Sequence, residues 1–142
     1  MKIREFTPSD EAAVIELWQR CQLTRAWNDP RKDIQRKLTV QPELFAVGEI
    51  DGRLVATVMA GYDGHRGWVN YLAVSPEYRK AGLGRRLMAH AESCLQAKGC
   101  PKLNIQVRTT NSSALEFYRR LGYVADDAVS LGKRLIHDQP VN

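Results

Sequence analysis

Cysteine and histidine are scarce in this chain, with three of each in 142 residues. Cys21, Cys94 and Cys100 are odd in number and form no C-x-x-C pair, which argues against a disulfide framework or a structural zinc site. His65, His90 and His137 are scattered with no H-x-x-x-H pair, so no metal is expected. Long apolar runs are also missing. The longest, Leu54 to Ala60, suits a buried strand and falls far short of a membrane span. The opening MKIREF is charged and alternating, unlike a secretion signal. The cytoplasm is therefore the expected compartment, and no membrane association is expected. Internal repeats, linkers and low-complexity segments are absent, so residues 1–142 read as a single domain.

What the chain has in excess is positive charge, formally +5. The excess points weakly to an anionic partner. Its placement is more informative: Arg79, Lys80, Arg85 and Arg86 crowd the stretch EYRKAGLGRRL, which runs from Glu77 to Leu87.

The remaining pattern is of alternating elements. Residues 2–6 read as a strand. Thr7-Pro8 reads as a helix entry, with Val14, Leu17, Trp18 and Cys21 at helical spacing behind it. Asp29-Pro30 opens a second helix bearing Ile34 and Leu38, after the loop LTRAWNDP. Leu44 to Ile50 and Leu54 to Ala60 read as strands joined by the hairpin turn Asp51-Gly52. Trp68 to Val74 is a further strand. A helix from Gly84 carries Leu87, Met88, Ala91, Cys94 and Leu95 on one face. Leu103 to Val107 reads as a strand with one polar face (Asn104, Gln106 and then Arg108), followed by a short helix capped by Asn111 or Ser113. Tyr123 to Leu135 is expected to form one or two last strands. The order βααβββαβαβ implies an α/β fold, with a mixed sheet and helices on both faces.

The glycine stretch fits neither standard nucleotide motif. The P-loop string G-x-x-x-x-G-K-[ST] is absent, and the dinucleotide fingerprint fails because its third glycine position is Leu87. What stays open is a turn, Arg79-Lys80-Ala81-Gly82-Leu83-Gly84, whose backbone N–H groups and helix start could receive a phosphate. A plain glycine turn with a solvated basic surface fits the stretch equally well.

Two blocks together carry a resemblance. YRKAGLGRRL, preceded by the strand NYLAV, resembles the acetyl-CoA pyrophosphate loop of the GNAT N-acetyltransferase superfamily, [QR]-x-x-G-x-[GA]. LNIQVRTTNSSALEFYRRLGY resembles the next block of that superfamily: a strand, an asparagine, and a helix with a tyrosine and a closing LGY. The blocks cover Trp68 to Tyr123 in the right order. The stretches around Trp27 and GYDGHRG resemble a small bacterial branch of the superfamily. The resemblance implies the acyl-CoA N-acyltransferase fold, with a central, mixed and mostly antiparallel sheet. It implies acetyl-CoA as co-substrate, with no metal. The pyrophosphate would rest on Arg79, Lys80, Ala81, Gly82, Leu83, Gly84 and Arg85. The pantetheine arm would pair with the backbones of Leu72, Ala73 and Val74 as an added strand. Asn111 would touch the cofactor, though a plain helix cap fits it as well. Tyr118 would lie near the sulfur and give the departing thiolate its proton, whereas packing alone would make it a boundary tyrosine.

Acetyl transfer also needs an oxyanion donor, for which a strand N–H near Leu72 is the candidate. It further needs a base for an acceptor ammonium with a pKa of roughly 10. Some relatives place a glutamate where this chain has Gln106, so that role does not carry over. Asp29, Asp63, His65 and Tyr71 are weaker candidates, each with a simpler structural reading as a cap, a turn or packing. Cys100 is weaker still as a nucleophile, since no motif places a histidine for it.

Three functions compete. The first is an acetyl-CoA-dependent N-acetyltransferase acting on a primary amine: a peptide or protein N-terminus, a lysine or a small amine. The second is a non-catalytic acyl-CoA-binding domain. The third, a nucleic-acid module, wants aromatic residues among the basic ones, and only Tyr78 lies there, so no nucleic-acid partner is expected. The loop around Trp27 would shape acceptor choice. A homodimer is compatible with the chain but not dictated by it.

Overall fold

Residues 1–138 are described here from a computed structural model. Five strands form one sheet in chain order: β1 (Lys2–Glu5), β2 (Phe45–Ile50), β3 (Arg53–Tyr62), β4 (Gly67–Val74) and β5 (Leu103–Ile105). The first three pairings are antiparallel, and β4–β5 is parallel. Four α-helices lie among the described residues: α1 (Glu11–Arg20), α2 (Pro30–Leu38), α3 (Leu83–Ala97) and α4 (Ser112–Arg120). The sequence predicts this order through α4, and the mixed sheet has helices on both faces as expected.

Each element starts for a local reason. Asp29 caps α2 by accepting the Arg31 N–H at 2.9 Å, and Pro30 takes the first helical position. Thr7-Pro8 opens a short 3₁₀ turn, Pro8–Asp10, before α1 begins. The Arg4 guanidinium grips both carboxylate oxygens of Asp10 at 2.8 Å, fixing the end of β1 to the start of α1. Between β2 and β3, Asp51 and Gly52 both take positive φ (+51° and +75°), which matches the right-handed strand twist in a two-residue hairpin.

Apolar side chains divide by sheet face. Leu83, Leu87, Met88, Ala91 and Leu95 of α3 pack on Val55, Val58, Ala60 and Val69. On the opposite face, Val14, Leu17 and Trp18 of α1 and Ile34 of α2 pack on Phe45, Val47, Met59 and Ala73.

The expected last strands over Tyr123 to Leu135 are not formed; residues 123–138 carry no helix or strand. β5 is only three residues long, ending at Ile105 and not at Val107, so it offers little edge to extend. Side chains hold the segment instead. Lys102 pairs with Asp126 at 2.8 Å, and Gln106 donates to Ser130 Oγ. At the segment's far end, the Asp138 carboxylate accepts from the Asp29 N–H at 2.8 Å and from Arg36 Nη2 at 2.5 Å. Val124, Val129, Leu131 and Leu135 are all at least 85% exposed, so the ends of this segment and its side chains, not a ladder, define its path.

Candidate active site

The parallel pairing of β4 and β5 covers only Gly67–Val69 against Leu103–Ile105. Beyond it β5 stops, and Asn70 to Val74 have no partner on that side among the described residues. On β4's other side, Thr57 aligns with Ala73 and Met59 with Asn70. Two residues of β4, Tyr71 and Leu72, therefore oppose one of β3. This is a bulge, and Tyr71 sits in it at φ +51°. For a tyrosine that conformation costs about 1–2 kcal/mol.

The bulge is clamped from the α1/α2 side. The Tyr71 ring stacks on Trp18, with centroids 3.7 Å apart and planes 11° apart. Its hydroxyl donates to Asp33 Oδ2 at 2.6 Å. Burial first, and the Asp33 carboxylate second, hold its phenol well above the usual tyrosine range. Thr57 Oγ1 donates to the Tyr71 carbonyl at 2.8 Å and accepts from Trp18 Nε1 at 2.9 Å.

Past the bulge the strand runs into the basic loop. Ser75, Glu77 and Arg20 bond to one another, tying the segment after β4 to the end of α1. Lys80 and Gly82 then take positive φ (+66° and +79°), and α3 starts directly behind Gly82 with no acidic residue in its first turn. That leaves the positive end of the helix unneutralised. Gly84 has a different reason to be glycine: a Cβ there would lie 3.1 Å from Phe117 Cζ, so it is the seat of α4 against α3.

These parts enclose one cleft of about 840 Å³. Leu72, Ala73, Val74, Arg79, Lys80, Gly82, Leu83, Gly84, Arg85, Asn111 and Tyr118 line it, which brings together the sequence-expected residues apart from Ala81. Tyr118 packs edge-on between Phe117 and Tyr123. Burial alone pushes its phenol up to about 12. Asn111 caps α4 by accepting the Ala114 N–H at 3.1 Å, and it lines the cleft as well.

None of the expected base candidates Asp29, Asp63, His65 and Tyr71 lines the cleft, and all but His65 are otherwise engaged. Asp29 caps α2. Asp63 accepts the His65 and Arg66 N–H groups in its turn, and these hold its carboxyl below the usual range. Tyr71 is spent on Asp33. Gln106 lies past the end of β5, not on a polar strand face, and its amide faces Ser130. Cys100 Sγ sits near the Lys102 carbonyl and does not line the cleft. Residues that sequence reasoning missed are Cys21, Gln22 and Leu23, which line the cleft at the end of α1. Gln22 takes φ +58° there without the glycine that would signal it. Outside the cleft lining, the Arg108 guanidinium carbon lies 5.9 Å from the centroid of the Trp27 ring.

The sequence model of the Acetyltransferase (GNAT) family matches residues 12–123. The chain belongs to the GNAT acetyltransferase family. An acetyltransferase of Yersinia enterocolitica is 51% identical over 139 residues, covering 98% of this chain and 99% of that one. An acetyltransferase of Pectobacterium atrosepticum is 48% identical over the same length and shares. Among solved structures, Ard1 from Thermoplasma volcanium is similar at 28% identity with a TM-score of 0.75, over 87% of this chain and 82% of that one. The protein is thus an acyltransferase of a family that uses acetyl-CoA. In this GNAT chain, no helix of the described residues is long and apolar enough to cross a membrane. No group of three potential metal ligands occurs among them either.

Proposed function

We propose that the protein moves an acetyl group from acetyl-CoA to a primary amine by direct attack in a ternary complex. One observation carries this reading. The β4 bulge, the cationic loop at the start of α3 and the Tyr118 phenol all border one cleft, which opens where β4 and β5 part.

The residues present suit the co-substrate. Pyrophosphate would meet the N–H groups between Lys80 and Arg85, where two left-handed residues turn the backbone ahead of a helix start. Arg79, Lys80 and Arg85 add charge, while Leu72, Ala73 and Val74 offer the pantetheine arm a strand edge with no partner on the β5 side among the described residues. The thioester carbonyl would then face the Leu72 N–H. A donor fixed in advance costs little reorganisation as charge develops on oxygen. Attack forms the N–C bond, the carbonyl reforms, and the C–S bond breaks. Tyr118 would donate to the departing sulfur, and the proton that the newly bonded nitrogen gives up, carried by water, would restore the phenol. Its phenol stays protonated at neutral pH, and the same dry surroundings that raise it make a thiolate there more basic and so a better proton acceptor. The amine must arrive neutral or lose its proton to water, since the cleft offers no uncommitted carboxylate for the task.

A screen of acetyl-CoA with peptide N-termini, lysine peptides and small amines, read by free thiol release, tests the reading. Turnover with at least one class is expected. The lack of a placed base favours a second reading, a non-catalytic acyl-CoA-binding domain. Acetyl-CoA binding without thiol release from any acceptor would select it.

A further inference from the structure

The family resemblance says nothing about what keeps a tyrosine in a left-handed bulge, one residue before the cleft-lining Leu72. Thr57 and Trp18 are both fully buried. The Trp18 indole N–H can only donate and the Tyr71 carbonyl can only accept, so the direction of both bonds is unambiguous: Trp18 Nε1–H to Thr57 Oγ1, and Thr57 Oγ1–H to Tyr71 O. That carbonyl belongs to the same peptide unit as the Leu72 N–H. The unit is planar and trans, so its C=O and N–H point in opposite directions. Whatever holds the carbonyl toward β3 and α1 therefore aims the N–H away from them. Leu72 aligns with no residue of β3 or β5, and it lines the cleft.

We propose that Thr57 is the positioning residue of the oxyanion site. Its hydroxyl, itself oriented by Trp18, locks the Tyr71–Leu72 peptide so that the Leu72 N–H faces the thioester carbonyl. The hydroxyl also polarises that peptide, because hydrogen bonds in series strengthen one another in a dry interior. Valine has nearly the shape of threonine but cannot hold the carbonyl. It would leave the Tyr71 oxygen and the Trp18 N–H buried without partners. The peptide would then be free to rotate, and the bulge would lose the bond that offsets its left-handed strain.

This inference rests on the proposed role of Leu72, and the test separates the two. Acetyl-CoA labelled with ¹³C at the acetyl carbonyl is bound to the protein, and the carbonyl stretch is read by isotope-edited infrared difference spectroscopy. No acceptor is needed. The wild-type protein should show a downshifted stretch. Thr57→Val should still bind acetyl-CoA, through the basic loop and the Ala73 and Val74 backbones, yet at saturation lose most of the downshift. Thr57→Ser and Thr57→Cys form a milder pair of similar size, usable if the valine variant does not fold. Serine should keep the shift, and cysteine, a weaker donor, should lose part of it. Wild-type protein that binds acetyl-CoA without any downshift would overturn the Leu72 assignment itself. A downshift in wild type that survives in Thr57→Val, or that is equal in the serine and cysteine variants, would overturn the role of Thr57 alone.

Discussion

Gly82→Ala isolates the backbone of the basic loop from its charge. A methyl at Gly82 would meet nothing within 4 Å, so crowding plays no part. The residue's φ of +79° is the whole difficulty. Holding alanine there costs about 1–2 kcal/mol, offset by about 0.4–1 kcal/mol from the stiffer unfolded chain. The net loss of about 1 kcal/mol should lower the melting temperature of the free protein by roughly 3–4 °C. Relaxation toward a right-handed turn would also swing the N–H groups at the start of α3 off the pyrophosphate. A tenfold loss of affinity, about 1.4 kcal/mol, is the expected scale. At an acetyl-CoA concentration one hundred times the wild-type Kd, stabilisation by ligand should then fall from about 2.7 to about 1.4 kcal/mol. Thermal denaturation with and without acetyl-CoA reads both quantities. Gly82→Asn serves as the control, since asparagine tolerates the left-handed region, and it should lose less on both counts. An alanine variant with unchanged melting and an unchanged acetyl-CoA response would refute the argument.

Three further outcomes are expected. Gly84→Val should push the Phe117 ring, 3.1 Å from the new Cβ, into the cleft and weaken acetyl-CoA binding. Adding Phe117→Leu should restore part of it, and calorimetric titration showing full affinity in the single variant would count against this packing. Tyr118→Phe should lower kcat about 10²-fold with acetyl-CoA affinity nearly unchanged; wild-type kcat, with chemistry limiting, would reduce Tyr118 to a packing residue. Asp10 is held at about 2, chiefly by its hydrogen bonds to Arg4. A carboxylate depressed in the folded state contributes fully above its unfolded pKa, near 4, and the contribution is lost as pH falls through the folded value. Asp10→Asn should therefore cost about 2 kcal/mol at neutral pH and flatten the stability profile between about pH 4 and pH 2. Urea midpoints with an identical acid limb in both proteins would contradict this.

Much of the fold was legible because the local signals are self-contained. Asp29-Pro30, Asp51-Gly52 and Asn111 each act through their own side chain or backbone freedom, and each sits where the sequence predicts. The bulge was not legible: tyrosine is a poor marker of a left-handed residue, and the contacts that enforce it come from Trp18, Asp33 and Thr57 on three other elements. Gly84 carries a second constraint that its neighbourhood in sequence does not show. Its place beside Gly82 suggests a phosphate cradle, while the contact that a side chain would violate is with Phe117, 33 positions away. The sequence leads one to expect one or two last strands over Tyr123 to Leu135, but a ladder needs a partner edge, and β5 ends too early to supply one.

The staple at Asp138 gives the distal part of the chain an influence out of proportion to its structure. Its carboxylate and carbonyl engage Asp29, Lys32 and Arg36, all on or at the entry of α2. One residue beyond Lys32, the same helix presents Asp33 to Tyr71. A premature stop or frameshift after His137 would free the helix that braces the bulged strand, more than sixty positions upstream of the lesion. Genetic surveys of this protein should find nonsense changes there less tolerated than the exposure of the surrounding segment suggests.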